Sequence, residues 1–493
     1  MGSQAAAKNS SMRARSDLGQ FLTPTPVADL MASMFDLRSN DIELLDAGAG
    51  AGALTAAFVH SLCVRDRKPC RISVTAYELD AELIQQLERT LLDSQKECER
   101  WGISFSARVR NEDFISAAAP TARGDFFATK LPSFNAAIVN PPYRKIGSSS
   151  AARLWLRSAG IETSNLYTGF VALIIKLLAT EGQLVAITPR SFCNGPYFKP
   201  FRADFLAKMS LRRLHVFESR SAAFRRDNVL QENIIIHGVK EDAKPEDVII
   251  STSSGNPHAE IMATQVRYRD VVSPSDPDQF IHLVVDEAHR NAKSAIGALS
   301  ATLADIGLSV STGRVVDFRA RSFLRQLPDA STVPLIYPCH FSAGFVKWPK
   351  TTSRKPNAIV SDEKTQDLLV PSEVYVLVKR FTAKEERRRV VACIYDPEQL
   401  ATTSVGFENH LNYFHTNGNG LSMTLAKGLS AFLNSTVVDL YFRQFSGHTQ
   451  VNATDLRALR YPSKAELERL GASIDDPRID QREIDDIVAK ELF

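Results

Sequence analysis

From Asp41 onward the chain alternates two hydrophobic periods, one suited to strands and one to helices. Ile42 to Gly48 reads as an apolar strand running into a small-residue turn, and Ala53 to Val64 as a helix. Arg71 to Asp80 is a second strand, and Ala81 to Gly102 a second helix with apolar residues three and four apart. The beat continues with a strand at Ser104 to Val109, an apolar strand at Phe134 to Asn140, a helix from Tyr167 to Thr180 and an apolar strand at Gly182 to Pro189. Alternating strands and helices predict a parallel sheet covered on both faces, with ligands bound at the carboxyl ends of its strands. After about Lys240 the rhythm stops. Glu241 to Pro277 is rich in proline and serine, and beyond it come short strand candidates, a helix candidate at Gly428 to Phe442, a turn at Asn417 to Gly420 and a charged helical tail. The pattern predicts a flexible terminus over 1–16, an α/β domain over 17–245 and a mixed α+β domain over 246–493.

Composition narrows the classes. With 44% apolar and 23% charged residues, the 493-residue chain is that of an ordinary globular protein. Its 59 basic and 56 acidic residues leave a net charge of +3, so a nucleic-acid partner requires a locally basic face. Six scattered cysteines form no CxxC pair, which fits a reducing compartment better than a disulfide framework. No apolar stretch reaches the ~20 residues that span a bilayer, and the opening MGSQAAAKNSSMRAR lacks an apolar export core, so a cytoplasmic enzyme is expected.

Four features at the ends of successive strands carry the chemistry. Asn140-Pro141-Pro142-Tyr143 follows the apolar strand directly. There the asparagine carboxamide oxygen and the Pro141 carbonyl can grip both N–H groups of a conjugated amine, favouring a more tetrahedral and more nucleophilic nitrogen. The prolines stiffen the loop, and Tyr143 presents a ring on which a base can stack. Upstream, Asp46-Ala-Gly48-Ala-Gly50-Ala-Gly52 is a glycine turn of the sort that lets a backbone approach a ligand closely. Asp46 occupies a position where dinucleotide-binding strands are apolar; a carboxylate there suits a cationic ligand such as S-adenosylmethionine, with its ammonium and sulfonium, better than a pyrophosphate. Glu78 ends the second strand, where a carboxylate can take both ribose hydroxyls. Asp113-Phe114, after the third strand, can bind the amino group of an adenine ring and cover its face.

In this order the motifs resemble the gamma-class adenine-N6 DNA methyltransferases, the TaqI- and PstI-like modification enzymes of type II restriction-modification systems. The resemblance covers residues 17 to 240 by motif and the rest by layout. It implies a Rossmann-like S-adenosylmethionine-dependent methyltransferase domain followed by a target-recognition domain that binds double-stranded DNA. Gly19 to Pro24 looks like that class's N-terminal cofactor segment, so Phe21, Thr23 and Pro24 are expected at the methionine end of the cofactor. Asn165 to Tyr167 with Phe170 resembles the next motif. Phe224 is the candidate second aromatic around the flipped adenine, stacking it against Tyr143.

Arg225 and Arg226, in a cluster with Arg212, Arg213 and Arg220, are candidate DNA contacts, as are Lys379 and Arg380, in a cluster with Lys384 and Arg387 to Arg389. Gln450 and Asn452 in a late polar loop could read adenine edges, though a capping turn has the same composition. No metal is expected. Asp286-Glu-Ala-His289 spells a helicase box, yet the chain has no GxxxxGK[ST] phosphate loop. The expected enzyme is a monomer whose cognate restriction endonuclease is encoded separately nearby. NPPY also serves methyltransferases acting on RNA or on protein glutamine, and a catalytically silent DNA-binding specificity protein is a third alternative.

Overall fold

The computed structural model describes residues 22–128, 131–217, 232–254, 260–274, 276–382, 385–400, 402–446, 449–476 and 478–493. They form two compact units divided between Val285 and Asp286. The strands of the first unit are β1 (Asp41–Ala47), β2 (Arg71–Tyr77), β3 (Ser104–Arg110), β4 (Phe134–Val139), β5 (Leu178–Pro189), β6 (Met209–Phe217), β7 (Asn233–Lys240), β8 (Asp247–Ser253) and β9 (Met262–Arg267). Among the described residues they make one nine-stranded sheet in the order β3-β2-β1-β4-β5-β7-β6-β8-β9. The strands β1 to β5 pair in parallel, and β7 runs antiparallel between β5 and β6. This is the expected Rossmann-like α/β fold.

Each strand's sequence matches its place. The central β4 is apolar and buried on both faces, as a parallel strand under helices must be, whereas the polar β3 is largely exposed at the edge. Helix Ala81–Arg100 is capped by Asp80, whose carboxylate accepts the Glu82 and Leu83 amides, and buries Leu83, Leu87, Leu91, Ser94 and Cys98 along one stripe. Helix Leu166–Leu177 is buried along nearly its whole length, so its sequence has no polar face.

Three boundaries differ from the sequence reading. The first unit continues to Val285 instead of ending at 245, because β8 pairs with β6 and β9 with β8, extending the same sheet. The helix expected to Thr180 ends at Leu177, and β5 starts at Leu178 with a register shift against β4 and a left-handed Glu181 (φ 63°). The helix expected over Gly428 to Phe442 is two, Met423–Asn434 and Thr436–Phe445, because Ser435 is extended and caps the second through the Val438 amide. Helices Thr25–Ser33, Ala151–Ser158 and Glu287–Ala298 were not anticipated.

The second unit is mixed α+β. Among the described residues it holds a six-stranded and a five-stranded sheet, with helices that include Met423–Asn434, Lys464–Ala472 and Gln481–Leu492. Asp286 of the helicase-like box caps helix Glu287–Ala298, accepting the His289 amide at 2.8 Å and pairing with His289 Nδ1 at 2.7 Å. No helix among the described residues is long and apolar enough to cross a membrane.

Helices Met423–Asn434 and Lys464–Ala472 cross at two glycines. A Cβ on Gly428 would lie 1.9 Å from the Leu467 carbonyl oxygen, and one on Gly471 1.8 Å from that of Thr424. Gly428→Ala should therefore force the helices apart and destabilise the second unit by about 3 kcal/mol or more. Gly297→Ala, on an exposed helical position with open space around it, should stabilise by up to about 1 kcal/mol. Thermal unfolding of the two variants checks both signs.

Candidate active site

Chain order sets where the site forms. From β1 the chain moves outward through β2 and β3, then returns to β4 on β1's other side, so a crevice opens at the carboxyl ends of β1 and β4. Asp46 ends β1, Glu78 follows β2, Asp113 follows β3 and Asn140 follows β4. The crevice is a cavity of about 540 Å³ whose lining includes Gly48, Gly50, Glu78, Asp113, Phe114 and Asn140.

The glycine turn and the first two carboxylates form one unit. Gly48 and Gly50 adopt positive φ (87° and 57°). The Gly48 amide donates to the Tyr77 carbonyl at 3.0 Å, and the Gly50 amide to Glu78 Oε2 at 2.9 Å. Glu78 Oε1 accepts the Leu79 and Asp80 amides at 2.8 and 2.9 Å. One of its roughly four acceptor sites thus ties the turn to the end of β2 and two hold the backbone that follows it, while Oε2 keeps capacity for one more donor. Asp46 is fully buried; the Thr55 hydroxyl donates to its Oδ2 at 2.7 Å, while Oδ1 has no hydrogen-bond partner. Burial pushes this carboxyl up to about 7, with the Thr55 bond opposing the rise and the Glu78 charge adding to it. An orphaned buried acceptor under a glycine turn fits an ammonium donor. Asp113 caps helix Phe114–Ala122 through the Ile115 and Ser116 amides at 3.4 and 3.2 Å. Phe114 is held between Tyr77 and Phe170, each with ring centroids 5.1 Å away.

The loop after β4 is held from several sides. The Asn140 side-chain amide donates to Thr23 Oγ1 at 3.1 Å, and its Oδ1 accepts from the Tyr143 hydroxyl at 2.9 Å. That hydroxyl also lies 3.1 Å from the Ile187 carbonyl on β5. Burial, with a smaller contribution from Tyr167, raises the Tyr143 phenol well above its ordinary value and keeps it a neutral donor. Its half-buried ring meets Tyr167 edge-on at 6.2 Å. Beyond the motif, the Ile146 amide donates to the Ser164 carbonyl and the Leu166 amide to that of Arg144, joining the loop to the start of helix Leu166–Leu177. Pro141 is buried, and Pro142 lines the crevice.

Known proteins with similar sequences extend over nearly the same length. The type II methyltransferase M.PstI of Providencia stuartii is 45% identical over 97% of this chain and 93% of its own. The type II methyltransferase M.BsuBI of Bacillus subtilis is 42% identical over 94% and 91%. The chain belongs to the type II DNA methyltransferases of restriction-modification systems. Residues 66–224 also match the Eco57I restriction-modification methylase family. Among solved structures, the type IIG restriction endonuclease BpuSI is similar over 98% of this chain and 64% of its own, at 12% identity and a TM-score of 0.47.

The fold of this methyltransferase brings Thr23, Asp46, Gly48, Gly50, Glu78, Asp113, Phe114 and the NPPY loop to the carboxyl ends of β1 to β4. Leu22 and Arg144 also line the crevice, and Thr55 holds Asp46; the sequence reading missed all three. Thr55 stands nine residues after Asp46 in the first helical turn beyond the glycines, a position that could have revealed it. Arg190 was also missed: it donates to Glu232 Oε2 at 3.1 Å, and both side chains are nearly fully buried. Phe21, Phe224, Arg225 and Arg226 lie outside the described residues.

The late basic cluster divides by environment. Lys379 is half-buried, with its ammonium 6.0 Å from the Phe341 ring. Arg380 donates to the Asn409 carbonyl at 3.1 Å and stacks on Phe381. Arg388 and Arg389 turn inward instead: Arg388 donates to the Asn434 carbonyl, and the buried Arg389 to Ser446 Oγ at 2.9 Å. Asn452 is engaged in a capping box with Asp455.

The Asp46 carboxyl gives a pH signature. Its folded value near 7 lies above the ordinary 3.8, so the native protein retains a proton that the unfolded chain loses as pH rises from about 4 to 7. Asp46 therefore lowers stability increasingly through that window, by on the order of 4 kcal/mol once pH exceeds 7. Asp46→Asn keeps the acceptor for Thr55 and removes the titration. Relative to wild type it should become progressively more stable from pH 4 to 7 and level off above, as measured by unfolding without cofactor; a pH-independent difference would contradict the burial argument.

Proposed function

We propose that the enzyme transfers a methyl group from S-adenosylmethionine to the N6 nitrogen of an adenine flipped out of duplex DNA, protecting host DNA from a cognate restriction endonuclease. The observation that carries this reading is the position of Asn140. Its carboxamide lies at the end of β4 on the wall of the same crevice as Gly48, Glu78 and Asp113, and it is held by Thr23 of the N-terminal segment. An acceptor so placed suits an amine entering beside a cofactor.

The crevice's charge suits S-adenosylmethionine. Among the described residues its lining carries Glu78, Asp80, Glu112 and Asp113 against one cation, Arg144, and Asp46 is buried behind the turn. That surface favours an ammonium and sulfonium and repels a pyrophosphate. When bound, the cofactor supplies an electrophilic methyl group. Asp46, beneath the glycine turn, would pair with its ammonium, Glu78 would hold its ribose and Asp113 its adenine amino group, with Phe114 against the ring and Phe21, Thr23 and Pro24 at the methionine end. Asn140 Oδ1 and the Pro141 carbonyl accept the two N–H groups of the target amine, returning electron density to its nitrogen. Tyr143, together with Phe224, stacks the base. Flipping follows from the chemistry, since N6 is engaged in pairing inside the duplex. Methylation of cytosine at carbon needs a thiolate nucleophile, whereas the described residues that line the crevice include Asn140 and no cysteine, which favours an amine target.

In this reading the second unit recognises the target sequence, with Lys379 and Arg380 on DNA phosphates, and one monomer acts on each site. Lys379→Ala should weaken binding to all DNA sequences alike and lower the slope of log affinity against log salt by about one. A change confined to one base position would assign Lys379 to base reading.

Asn140→Ala should reduce turnover by a factor of roughly 100 or more, about 3 kcal/mol, while S-adenosylmethionine binding by calorimetry changes little. Mass spectrometry of hydrolysed DNA should show N6-methyladenine with the wild type. Detection of N4-methylcytosine in its place would make cytosine the target, and full activity of Asn140→Ala would sink the amine clamp.

A further inference from the structure

Thr23 and Asn140 belong to opposite ends of the catalytic site's sequence, yet they share a hydrogen bond of 3.1 Å from the asparagine Nδ2 to the threonine hydroxyl. Thr23 lies just before helix Thr25–Ser33, and its neighbour Leu22 crosses the glycine turn, where a Cβ added to Gly50 would sit 3.3 Å from Leu22 Cδ2. Residues 22 and 23 therefore touch both walls of the crevice, the turn after β1 and the loop after β4.

We propose that Thr23 is a positioning residue for the methyl transfer: it orients the Asn140 carboxamide and couples the seating of the N-terminal segment to the readiness of the amine clamp. The inference rests on the amine-clamp reading of Asn140 given above. A carboxamide on a two-torsion side chain can swing about its last bond and exchange its oxygen and nitrogen. Two contacts oppose that swing here. Thr23 accepts from Nδ2 on one side, and the Tyr143 hydroxyl donates to Oδ1 on the other.

The Tyr143 hydroxyl has one hydrogen and two acceptors in reach, Asn140 Oδ1 and the Ile187 carbonyl. An incoming amine that donates to Oδ1 can be accommodated by a shift of that hydrogen toward Ile187, which raises the acceptor strength of Oδ1. As the tyrosine contact loosens, the contact to Thr23 keeps the oxygen aimed. Loss of the threonine hydroxyl weakens the hold on the nitrogen side of Asn140, so misorientation falls on the chemical step rather than on binding.

The test uses the full chain, S-adenosylmethionine and DNA from a host lacking the enzyme. Thr23→Val, nearly isosteric but without a hydroxyl, should lower the single-turnover methylation rate roughly 10- to 100-fold at saturating cofactor and DNA, a loss in the chemical step that remains after any change in cofactor affinity is saturated out. Thr23→Ser should restore most of the rate. Thr23→Ala should behave like valine, which guards against an effect of valine's shape, and thermal melting verifies that each variant is folded. A wild-type single-turnover rate in Thr23→Val, or a loss confined to cofactor affinity, overturns the proposal and leaves the amine clamp standing, provided that Asn140→Ala is inactive. An active Asn140→Ala instead removes the clamp on which the proposal rests.

Discussion

Parallel pairing of β1 with both β2 and β4 is the constraint on which the site depends. Because β1 to β4 run the same way, their carboxyl ends meet on one edge of the sheet, and because the chain leaves β1 in opposite directions, helices on either side cannot close the space above it. Four residues far apart in sequence are thereby brought to one crevice by strands that pair side by side. The crevice is a property of topology; its chemistry comes from what each strand carries within three residues of its carboxyl end.

That division explains which parts of the site are legible in the amino-acid sequence. Strands β1, β2 and β4 each end in a buried run with a chemically distinctive residue within it or directly after it, so their positions are visible in a linear text. The hydrogen bonds that make the residues competent are not. Glu78 looks like a ribose ligand because it ends a strand, yet most of its acceptor capacity is taken by backbone amides, one from the glycine turn and two from the residues that follow it. Thr55 and Thr23 are ordinary helix-start residues by sequence, and only the fold shows that one bonds Asp46 and the other Asn140.

The illegible boundaries share a cause. The helix before β5 and β5 itself are both largely apolar, so no change of period separates them, and a left-handed Glu181 falls inside a strand instead of ending an element. Beyond 245 the proline- and serine-rich sequence reads as a linker, but β8 and β9 are paired onto the edge made by β6, and edge strands tolerate that polar composition. Charge runs mislead for a related reason. Arg387 to Arg389 look alike in sequence, whereas Arg387 is exposed and Arg389 is buried with its guanidinium on Ser446.

Under the proposed function, a loop after β4 that is held this tightly can still work. Electrostatic catalysis needs acceptors that do not have to be reoriented when charge develops. An unsupported asparagine on a strand end would lose rotational freedom at each turnover; here the two prolines, the tyrosine hydroxyl and the Thr23 hydroxyl have removed that freedom during folding. The rigidity is local, since it is set by short contacts between β4, β5 and the N-terminal segment. Asp46 shows the opposite arrangement: a carboxyl raised to about 7 with one oxygen unpartnered is not yet satisfied by the protein alone. A cationic ligand would lower that value and ionise the group, so under the proposed function binding energy at Asp46 and preorganisation at Asn140 would divide the work between the cofactor side and the amine side of one crevice.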